Sequence, residues 1–324
     1  MQLVSTYYSD FMAYMEANTF EKAPNGLYQP VDYIMQLGGK RLRPILVLMG
    51  YRLFHDTHEP ALPLALAVEV FHNFSLVHDD IMDDAPLRRG KPTVHELYDV
   101  NTGILSGDVM LIKCYEFLLK APAPLIPALV QTFNEVAIKV CEGQQYDMDF
   151  ETRDDVTIPA YLKMIEYKTA ALIEGSLSLG AILAEAGPDN CHHLALFGRN
   201  IGLAFQMQDD ILDTFGDPAK FGKKVGGDIL NNKKTYLLLK AQELATSEDR
   251  AALDHWMSKK EFDEAEKVNG VTELFRKYRV LELATEQMQS YQDQAFKHLE
   301  KVKVSAGRKQ ELTDLAHELL VREF

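Results

Sequence analysis

Residues 70–93 read Val70-Phe-His-Asn-Phe-Ser-Leu-Val-His-Asp-Asp-Ile-Met-Asp-Asp-Ala-Pro-Leu-Arg-Arg-Gly-Lys-Pro-Thr93, passing from apolar to acidic and then to basic sequence. Three aspartates form an Asp-Asp-x-x-Asp box: Asp79, Asp80 and Asp83. On a helix, residues four apart share a face, and carboxylates this close repel one another unless a cation is bound. Mg2+ is typically held by one or two carboxylates together with substrate phosphates. Arg88 and Arg89 follow, and arginine suits forked contacts with phosphate oxygens. The stretch therefore predicts a metal and phosphate site at the end of an apolar helix.

A second box of identical spacing ends another amphipathic run, at Asp209, Asp210 and Asp213. One such box alone is more typical of a solvated acidic helix end. Two boxes, each followed by basic residues, favour a functional site built on paired acidic clusters.

Two further segments carry basic residues beside glycines. Gly38-Gly-Lys-Arg-Leu-Arg-Pro44 places Lys40, Arg41 and Arg43 at a predicted helix start, where backbone amides favour anions, although a solvated basic turn fits equally well. Residues 217–228 form a glycine-rich loop with lysines, which lacks the P-loop pattern.

Three other groups of polar residues have both a functional and an ordinary interpretation. Glu69 and His72 have a di-iron spacing that occurs only once, so His72 is predicted to be a polar group near the site. Gln144 and Asp147 share a helix face that could equally be an exposed polar end. Lys168, before an apolar run, could simply extend to water.

Composition limits the classes of function. The 324 residues are 47% hydrophobic and 25% charged, which is ordinary for a globular protein with a large core. The net charge of −14 argues against a nucleic-acid partner. Anionic substrates would then require the basic residues to be concentrated where they bind.

Cysteine usage and hydropathy predict a cytoplasmic protein. Cys114, Cys141 and Cys191 are isolated and odd in number, as expected of free thiols in a reducing compartment. The first residues lack the pattern of a signal peptide, and no apolar run is long enough to predict a transmembrane segment.

Helical periodicity dominates the chain, which predicts an all-α protein with a single domain over residues 1–324. The pattern predicts a first helix within residues 6–19, a loop at 24–30, and a helix that begins at Ser106. The first acidic box is expected to end a helix over residues 60–84. A long helix is expected from Tyr161 to Leu183.

Taken together, these motifs resemble the all-trans isoprenyl diphosphate synthase (polyprenyl synthetase) family, in the family's order and from Gly38 to at least Tyr236. The resemblance implies an all-α isoprenoid synthase helical bundle around a deep central cavity, and a homodimer. It implies Mg2+-dependent head-to-tail transfer of a prenyl group from an allylic diphosphate (dimethylallyl, geranyl or farnesyl) to isopentenyl diphosphate.

The resemblance also implies roles for individual residues. Both aspartate boxes would hold three Mg2+ ions on the allylic diphosphate, supported by Gln144 and Asp147. The diphosphate would be clamped by Arg88, Lys168 and Lys233, with Lys223 or Lys224 as the loop lysine. The isopentenyl diphosphate pocket would comprise Lys40, Arg43, His72 and Arg89. Thr169 and Gln206 would lie near the reacting carbons. The basic tail of some relatives is not matched by Val321-Arg-Glu-Phe324.

Product length in this family depends on the residues before the first box. Ser75, Phe74 and Phe71 precede Asp79 by four, five and eight residues, so they occupy lower turns of the same helix. Phe74 beside the small Ser75, with no insertion in the box, resembles geranylgeranyl diphosphate synthases. Farnesyl diphosphate is the alternative product, and plain core packing of both phenylalanines is compatible with either.

Three other classes of protein share some of these motifs. A class I terpene cyclase also uses an Asp-Asp-x-x-Asp box, but it lacks the Gly-Gly-Lys stretch and has a different second metal motif. A catalytically inactive modulating subunit would have lost a box or the Arg88-Arg89 pair, and neither is lost. A helical metal-storage protein would leave the basic clusters without a role.

Overall fold

The computed structural model describes residues 2–217, 225–259 and 261–320, and it is built almost entirely of helices, which confirms the all-α class. The chain divides into two compact units. The first comprises Met1–Ala137, Leu172–Ala195 and Lys301–Thr313, and the second comprises Ile138–Ala171, Leu196–Glu300 and Asp314–Phe324. The single domain and the central cavity expected above stay predictions.

The first half of the chain is organised around one long apolar helix, α4. The elements in chain order are α1 (Gln2–Glu16), α2 (Asn25–Gln36), α3 (Leu42–Arg52), a 3-10 turn (Glu59–Ala61), α4 (Leu62–Met82), α5 (Val94–Leu97) and α6 (Val100–Leu118). Helix α4 packs against α3 and α6 and buries apolar side chains on nearly all sides, including Leu64, Leu66 and Phe71. A helix that is apolar on all sides belongs in a protein core. Because α4 is packed in this way, the first acidic box at its C-terminal end is held rigidly.

The second half continues with longer helices. They are a 3-10 turn (Ala123–Leu125), α7 (Ile126–Thr152), α8 (Ile158–Ile165), a π-helical segment (Glu166–Ala170), α9 (Ala171–Leu183), α10 (Pro188–Phe215), α11 (Gly227–Leu230), α12 (Tyr236–Leu244), α13 (Ser247–Ser258), α14 (Glu264–Lys277), α15 (Val280–Lys301) and α16 (Ala306–Leu320). In the second unit α12 packs against α8 and α14, and α14 also contacts α11 and α13.

A short β-hairpin follows the first acidic box. Strands β1 (Leu87–Arg88) and β2 (Lys91–Pro92) pair antiparallel, with Arg88 opposite Lys91. Arg89 and Gly90 form the two-residue turn, with φ of 54° and 73°. Two successive positive φ values are the signature of the type I′ turn that favours hairpins. The turn keeps the two neighbouring arginines in a fixed relation to the end of α4.

Several local predictions were confirmed and others were wrong. The helix around the first box and the continuous helical segment from Tyr161 to Leu183 are both present. The loop expected at 24–30 is instead the start of α2, because Tyr28, Val31, Ile34 and Met35 give it a buried face that includes Pro30. Ser106 lies inside α6 and begins no helix. The first helix begins earlier than expected, at Gln2.

The segment Glu59–Met82 is long and apolar enough to cross a membrane by length and composition alone. Within the residues that the structure describes, it is the one segment that passes this test, and 72% of it is buried inside the protein. Burial of that extent is what the core position of α4 requires, so the finding is weak support for a membrane span.

Candidate active site

The first acidic box ends α4 and is bound to the hairpin through Arg88. The Asp80 carboxylate is buried, and both of its oxygens accept hydrogen bonds from Arg88 Nε at 2.8 Å. Arg88 Nη2 also lies 2.7 Å from Asp80 Oδ1 and 3.4 Å from Asp79 Oδ2. Burial raises the pKa of Asp80, and the Arg88 guanidinium opposes that rise. Asp80 thus anchors Arg88, while Asp79 and Asp83 are the more accessible carboxylates of the box.

Arginines concentrate positive charge near the middle of α4. Arg43 Nη1 lies 3.2 Å from His72 Nε2. Burial and the neighbouring Arg43 and Arg89 lower the pKa of His72 well below its usual range, so the imidazole is neutral and accepts this hydrogen bond. Burial lowers the pKa of Arg43 to about 10, which still leaves it charged at neutral pH. Arginines gathered around a neutral histidine form an electropositive site that suits an anion.

Arg41 has a structural role that the sequence did not distinguish from that of its neighbours. Its side chain is buried, bonds Glu69 at 2.5 Å and also donates to the Met35 carbonyl. Asn73 shares the same Glu69 carboxylate at 3.0 Å. Glu69 therefore serves as the buried counter-ion of Arg41.

Arg89 lies beside the glycine turn that precedes α3. Its guanidinium donates to the Gly38 carbonyl, and a side chain at Gly39 would contact Arg89 Cζ at 2.9 Å. The glycines thus leave room for an arginine against the backbone. The exposed Lys40 follows this turn in the chain. Three other residues expected to bind isopentenyl diphosphate (Arg43, His72 and Arg89) lie near one another in the first unit.

The phenylalanines below the first box form one aromatic cluster. Phe71 is 1% and Phe74 8% exposed, with their ring centroids 5.6 Å apart. Phe71 also contacts Phe133 edge-on at 5.3 Å, and Phe74 contacts His78 at 4.8 Å. Ser75 donates to the His72 carbonyl at 2.8 Å and adds little bulk. The arrangement fits a rigid floor, and it equally fits core packing, so the role in product length stays a prediction.

The second acidic box lies on α10, in the second unit. Asp210 is buried and accepts hydrogen bonds from the Tyr161 hydroxyl and from Gln206 Nε2, the latter at 3.0 Å. Burial, with the nearby Asp228 carboxylate adding to it, raises the pKa of Asp210 to about 8. Asp209 is partly exposed on the same helix. The rise in this pKa is due chiefly to burial, and neighbouring carboxylates add to it, so a cation bound nearby would favour the ionised form.

Asp213 is bound to the start of α11. Its carboxylate accepts the Asp228 amide at 2.9 Å, and its carbonyl accepts the Gly226 amide at 2.6 Å. Burial raises the pKa of Asp228 to about 6; Lys233 opposes this rise and Asp213 adds to it. Lys233 Nζ lies 3.7 Å from the Asp228 carboxylate. Asp228 thus extends the second cluster.

Lys168 and Thr169 lie within the π-helical segment, a feature that is frequent at functional sites. Lys168 Nζ contacts Asp147 at 2.6 Å, and Thr169 Oγ1 donates to Gln206 Oε1 at 3.0 Å. Gly143 on α7 makes this arrangement possible, because any β-carbon there would overlap the Lys168 amide. Three predicted site residues of the second unit (Lys168, Thr169 and Gln206) are therefore linked to carboxylates or to one another.

Gln144 lies one turn before Asp147 on α7. Its Nε2 is buried, and within the described parts of the chain it has no hydrogen-bond partner. A buried amide in that state costs free energy. A ligand oxygen or a water could satisfy this donor, and the role of Gln144 in supporting a metal-bound diphosphate stays a prediction.

Sequence reasoning missed two residues and left others undecided. Asp228 ends the glycine-rich loop and could have been found as a carboxylate preceded by two glycines and followed, five residues later, by two lysines. Tyr161 gave no signal, since only the fold brings its hydroxyl to Asp210. Lys223, Lys224 and the tail Val321–Phe324 lie outside the described residues.

The acidic residues fit Mg2+ without forming a closed cage. Among the residues that the structure describes, no three side chains of His, Cys, Asp or Glu converge on one point. Mg2+ keeps several waters and is commonly held by one or two carboxylates and substrate phosphates. Asp79 and Asp83 in one unit, and Asp209 and Asp213 in the other, are carboxylate donors of this kind.

Comparison with known proteins gives consistent matches. The family model described as polyprenyl synthetase matches residues 24–275. A crystal structure of a geranylgeranyl pyrophosphate synthase superposes with a TM-score of 0.94 at 43% identity, covering 99% of each chain. The geranylgeranyl pyrophosphate synthase of Geoglobus acetivorans is 37% identical over 94% of this chain and 93% of its own length. The geranylfarnesyl diphosphate synthase of Natronomonas pharaonis is 40% identical over 68% of this chain and 70% of its own length.

Proposed function

The chain belongs to the polyprenyl synthetase family, and on that premise we propose that it is a geranylgeranyl diphosphate synthase. It is a trans-prenyltransferase that condenses isopentenyl diphosphate with an allylic diphosphate in head-to-tail fashion. The observation that carries the assignment is that each unit presents an acidic cluster next to cations: Arg88 beside Asp80 in the first, and Lys233 beside Asp228 in the second.

The difficult step is departure of the allylic diphosphate, during which negative charge grows on its oxygens. Preorganised cations stabilise such charge strongly in a site that excludes water. Arg88 is held for this task by the buried Asp80, and Lys168 by Asp147. We propose that the accessible aspartates of both boxes hold Mg2+, which supplies Lewis-acid neutralisation of the diphosphate when bound.

The second substrate requires a separate anion site that leaves its double bond free. The electropositive group of Arg43 and Arg89, with Lys40 beside it, suits the diphosphate of isopentenyl diphosphate. The neutral His72 adds a hydrogen-bonding group without repelling an anion. A site of fixed arginines favours orientation, so that the carbon–carbon bond forms between positioned partners.

Groups with dipoles but no nucleophilic character suit the carbocationic stage. Thr169 donates its proton to Gln206 Oε1, so the lone pairs of the Thr169 hydroxyl remain available to a developing positive charge. Neither residue forms a covalent bond, and the proposed reaction needs none. The proton lost at the end would pass to the released diphosphate.

Product length is assigned from the aromatic cluster and from the relatives. Phe74 and Phe71 would end the space for the growing chain below the first box. Relatives that are 37–40% identical to this chain include geranylgeranyl and geranylfarnesyl diphosphate synthases, so farnesyl diphosphate is the less favoured product. Both boxes and the Arg88–Arg89 pair are intact, which argues against an inactive subunit, and the second Asp-Asp-x-x-Asp box argues against a terpene cyclase.

We further propose that the protein acts as a cytoplasmic homodimer. Support for a second copy comes from apolar side chains that α6 exposes, with 43% exposure at Ile104, 58% at Leu105 and 60% at Ile112. A row of this kind is more typical of an interface than of free surface. The isolated cysteines support a reducing compartment.

The assignment is tested by comparing one carboxylate variant from each box with a matched surface control. Asp79→Asn and Asp209→Asn should each lower kcat by at least about a hundredfold, since each removes a ligand for a charge-stabilising ion. Asp189→Asn removes a surface ion pair with Lys303 and should leave the rate unchanged. Full activity in either box variant, or in the wild type with all divalent metal chelated, would contradict the proposal.

A further inference from the structure

A buried lysine outside the predicted site holds the segment that carries Asp228. Lys267 on α14 is fully buried. Its Nζ donates to Asn232 Oδ1 at 2.6 Å and to the Leu230 carbonyl at 3.4 Å, and it lies 4.2 Å from the Phe262 ring centroid. In the described part of the chain, no carboxylate forms an ion pair with this ammonium.

A lysine in that environment is costly, because a buried charge without a counter-ion loses its hydration. An apolar residue would fill the same position at lower cost. The contacts of Lys267 are therefore informative: each polar one goes to the end of a single segment, Gly226–Asn232. Asn232 itself has a φ of 55°, in the left-handed region, so its side chain is presented to Lys267 by a backbone turn.

The other side of this segment is bonded to the second acidic box. The Gly226 amide donates to the Asp213 carbonyl, and the Asp228 amide donates to the Asp213 carboxylate at 2.9 Å. The Lys233 amide closes the segment by donating to the Asp228 carbonyl at 2.9 Å. This segment thus joins α14 to α10. It carries the Asp228 carboxylate at the acidic cluster, and Lys233 follows it directly.

The segment also rests directly on α14. Gly226 has a φ of 90°, and any β-carbon there would contact Val268 at 2.7 Å. Its two ends are consequently fixed on the same helix, one by the Gly226–Val268 contact and the other by the bonds from Lys267. Shifts of a fraction of an ångström at Asn232 would reach Asp228 and Lys233, which are four residues away or fewer.

We propose that Lys267 is a positioning residue for the reaction: acting through Asn232 and Leu230, it holds Asp228 against Asp213 and keeps Lys233 beside Asp228. The inference rests on the proposed function, in which the second acidic box binds the metal–diphosphate group. Lys267 makes no contact with Asp213 itself. Its effect on substrate is transmitted by the segment.

The test compares Lys267→Met with Lys277→Met, which removes an exposed lysine from the same helix. Isothermal titration of inorganic diphosphate at several Mg2+ concentrations measures binding without turnover. Lys267→Met should weaken Mg2+-dependent diphosphate binding about tenfold, as loss of a supporting partner commonly does, and raise KM more than it lowers kcat. Lys277→Met loses an ion pair with Asp249 and a contact with the neighbouring Tyr278 ring, neither of which involves the Gly226–Asn232 segment, so it should bind diphosphate as the wild type does.

Hydrogen exchange distinguishes positioning from general weakening. In metal-free Lys267→Met, the Asp228 and Lys233 amides should exchange at least about tenfold faster, while amides of α4, which belongs to the other unit, should be unchanged. A merely structural role would instead speed exchange throughout. Unchanged diphosphate binding in a folded Lys267→Met would overturn the proposal.

A second variant covers the case in which Lys267→Met fails to fold. Asn232→Gly keeps the lysine, removes its closest acceptor and suits the positive φ. It should shift the Mg2+ dependence in the same direction, whereas Asn232→Asp, which retains the acceptor oxygen, should stay close to the wild type. Wild-type binding by Asn232→Gly would refute the idea. Loss of product formation in the wild type itself would refute the proposed function instead, and the binding experiment would still decide the role of Lys267.

Discussion

Replacing Phe74 by alanine should lengthen the product by one isoprene unit. Phe74 lies five residues before Asp79, about 7.5 Å along the axis of α4. The next large side chain facing the same way is Phe71, three residues further and about 4.5 Å deeper. That distance is close to the length of one extended isoprene unit. The variant should therefore make geranylgeranyl diphosphate only as an intermediate and geranylfarnesyl diphosphate as its main product.

The same substitution removes a buried ring and will lower stability. A phenylalanine-to-alanine change in a core typically costs about 3–5 kcal/mol. Phe117 is the matched control, because it is also 8% exposed, lies in the same unit and makes an edge contact with Phe20 at 6.2 Å. Phe117→Ala should lose comparable stability and keep the wild-type product.

The assay supplies farnesyl diphosphate, labelled isopentenyl diphosphate and Mg2+, then separates the dephosphorylated products by chain length. A melting curve establishes that each variant is folded at the assay temperature. A folded Phe74→Ala enzyme with an unchanged product would refute the floor. Equal lengthening by Phe117→Ala would show that a loosened core, and no particular side chain, sets the length.

Three other predictions follow from the buried charges and close contacts. Arg88→Met leaves the Asp80 carboxylate buried without its partner, so it should lower the free energy of unfolding, measured in urea, by about 3 kcal/mol. A nearly unchanged free energy of unfolding would mean that the pair behaves as an exposed ion pair. Burial raises the pKa of Asp210 to about 8, so ionisation of this carboxyl opposes folding of the metal-free protein. The stabilisation that the protonated carboxyl provides is fully present below about pH 4 and is lost as the pH rises through about 8. The melting temperature should therefore fall between these pH values, and Asp210→Asn should remove part of that fall. Gly143→Ala places a methyl group against the Lys168 backbone. The substitution should lower stability, measured by thermal unfolding, by about 1–3 kcal/mol and should also lower kcat. Unchanged kinetics would mean that the π-helical segment tolerates displacement.

Most of the fold could be predicted because its signals are local. The periodic apolar residues of α4 and the acidic box at its end follow directly from the sequence, and the structure has that helix at Leu62–Met82. The loop expected at 24–30 was wrong because proline and glycine usually break helices. Here the burial of Val31 and Ile34 outweighs them. Propensity is a weak guide wherever tertiary packing decides.

The candidate site could be predicted only in part. Residue types and spacing identify the aspartates and arginines, but they give no indication of which of them support the others. Asp80 and Arg41 look like site residues in the sequence, and in the fold their side chains are engaged by Arg88 and Glu69. Tyr161 and Lys267 carry no motif at all, since their contacts join residues far apart in the chain.

The most direct test of the assignment is the product made by the purified protein from Mg2+, labelled isopentenyl diphosphate and each of dimethylallyl, geranyl and farnesyl diphosphate. We predict extension of all three primers, ending at geranylgeranyl diphosphate. Extension that stops at farnesyl diphosphate would contradict the proposed product while keeping the reaction. No extension of any primer, with Mg2+ and diphosphate still bound, would contradict prenyl transfer as the function of this chain.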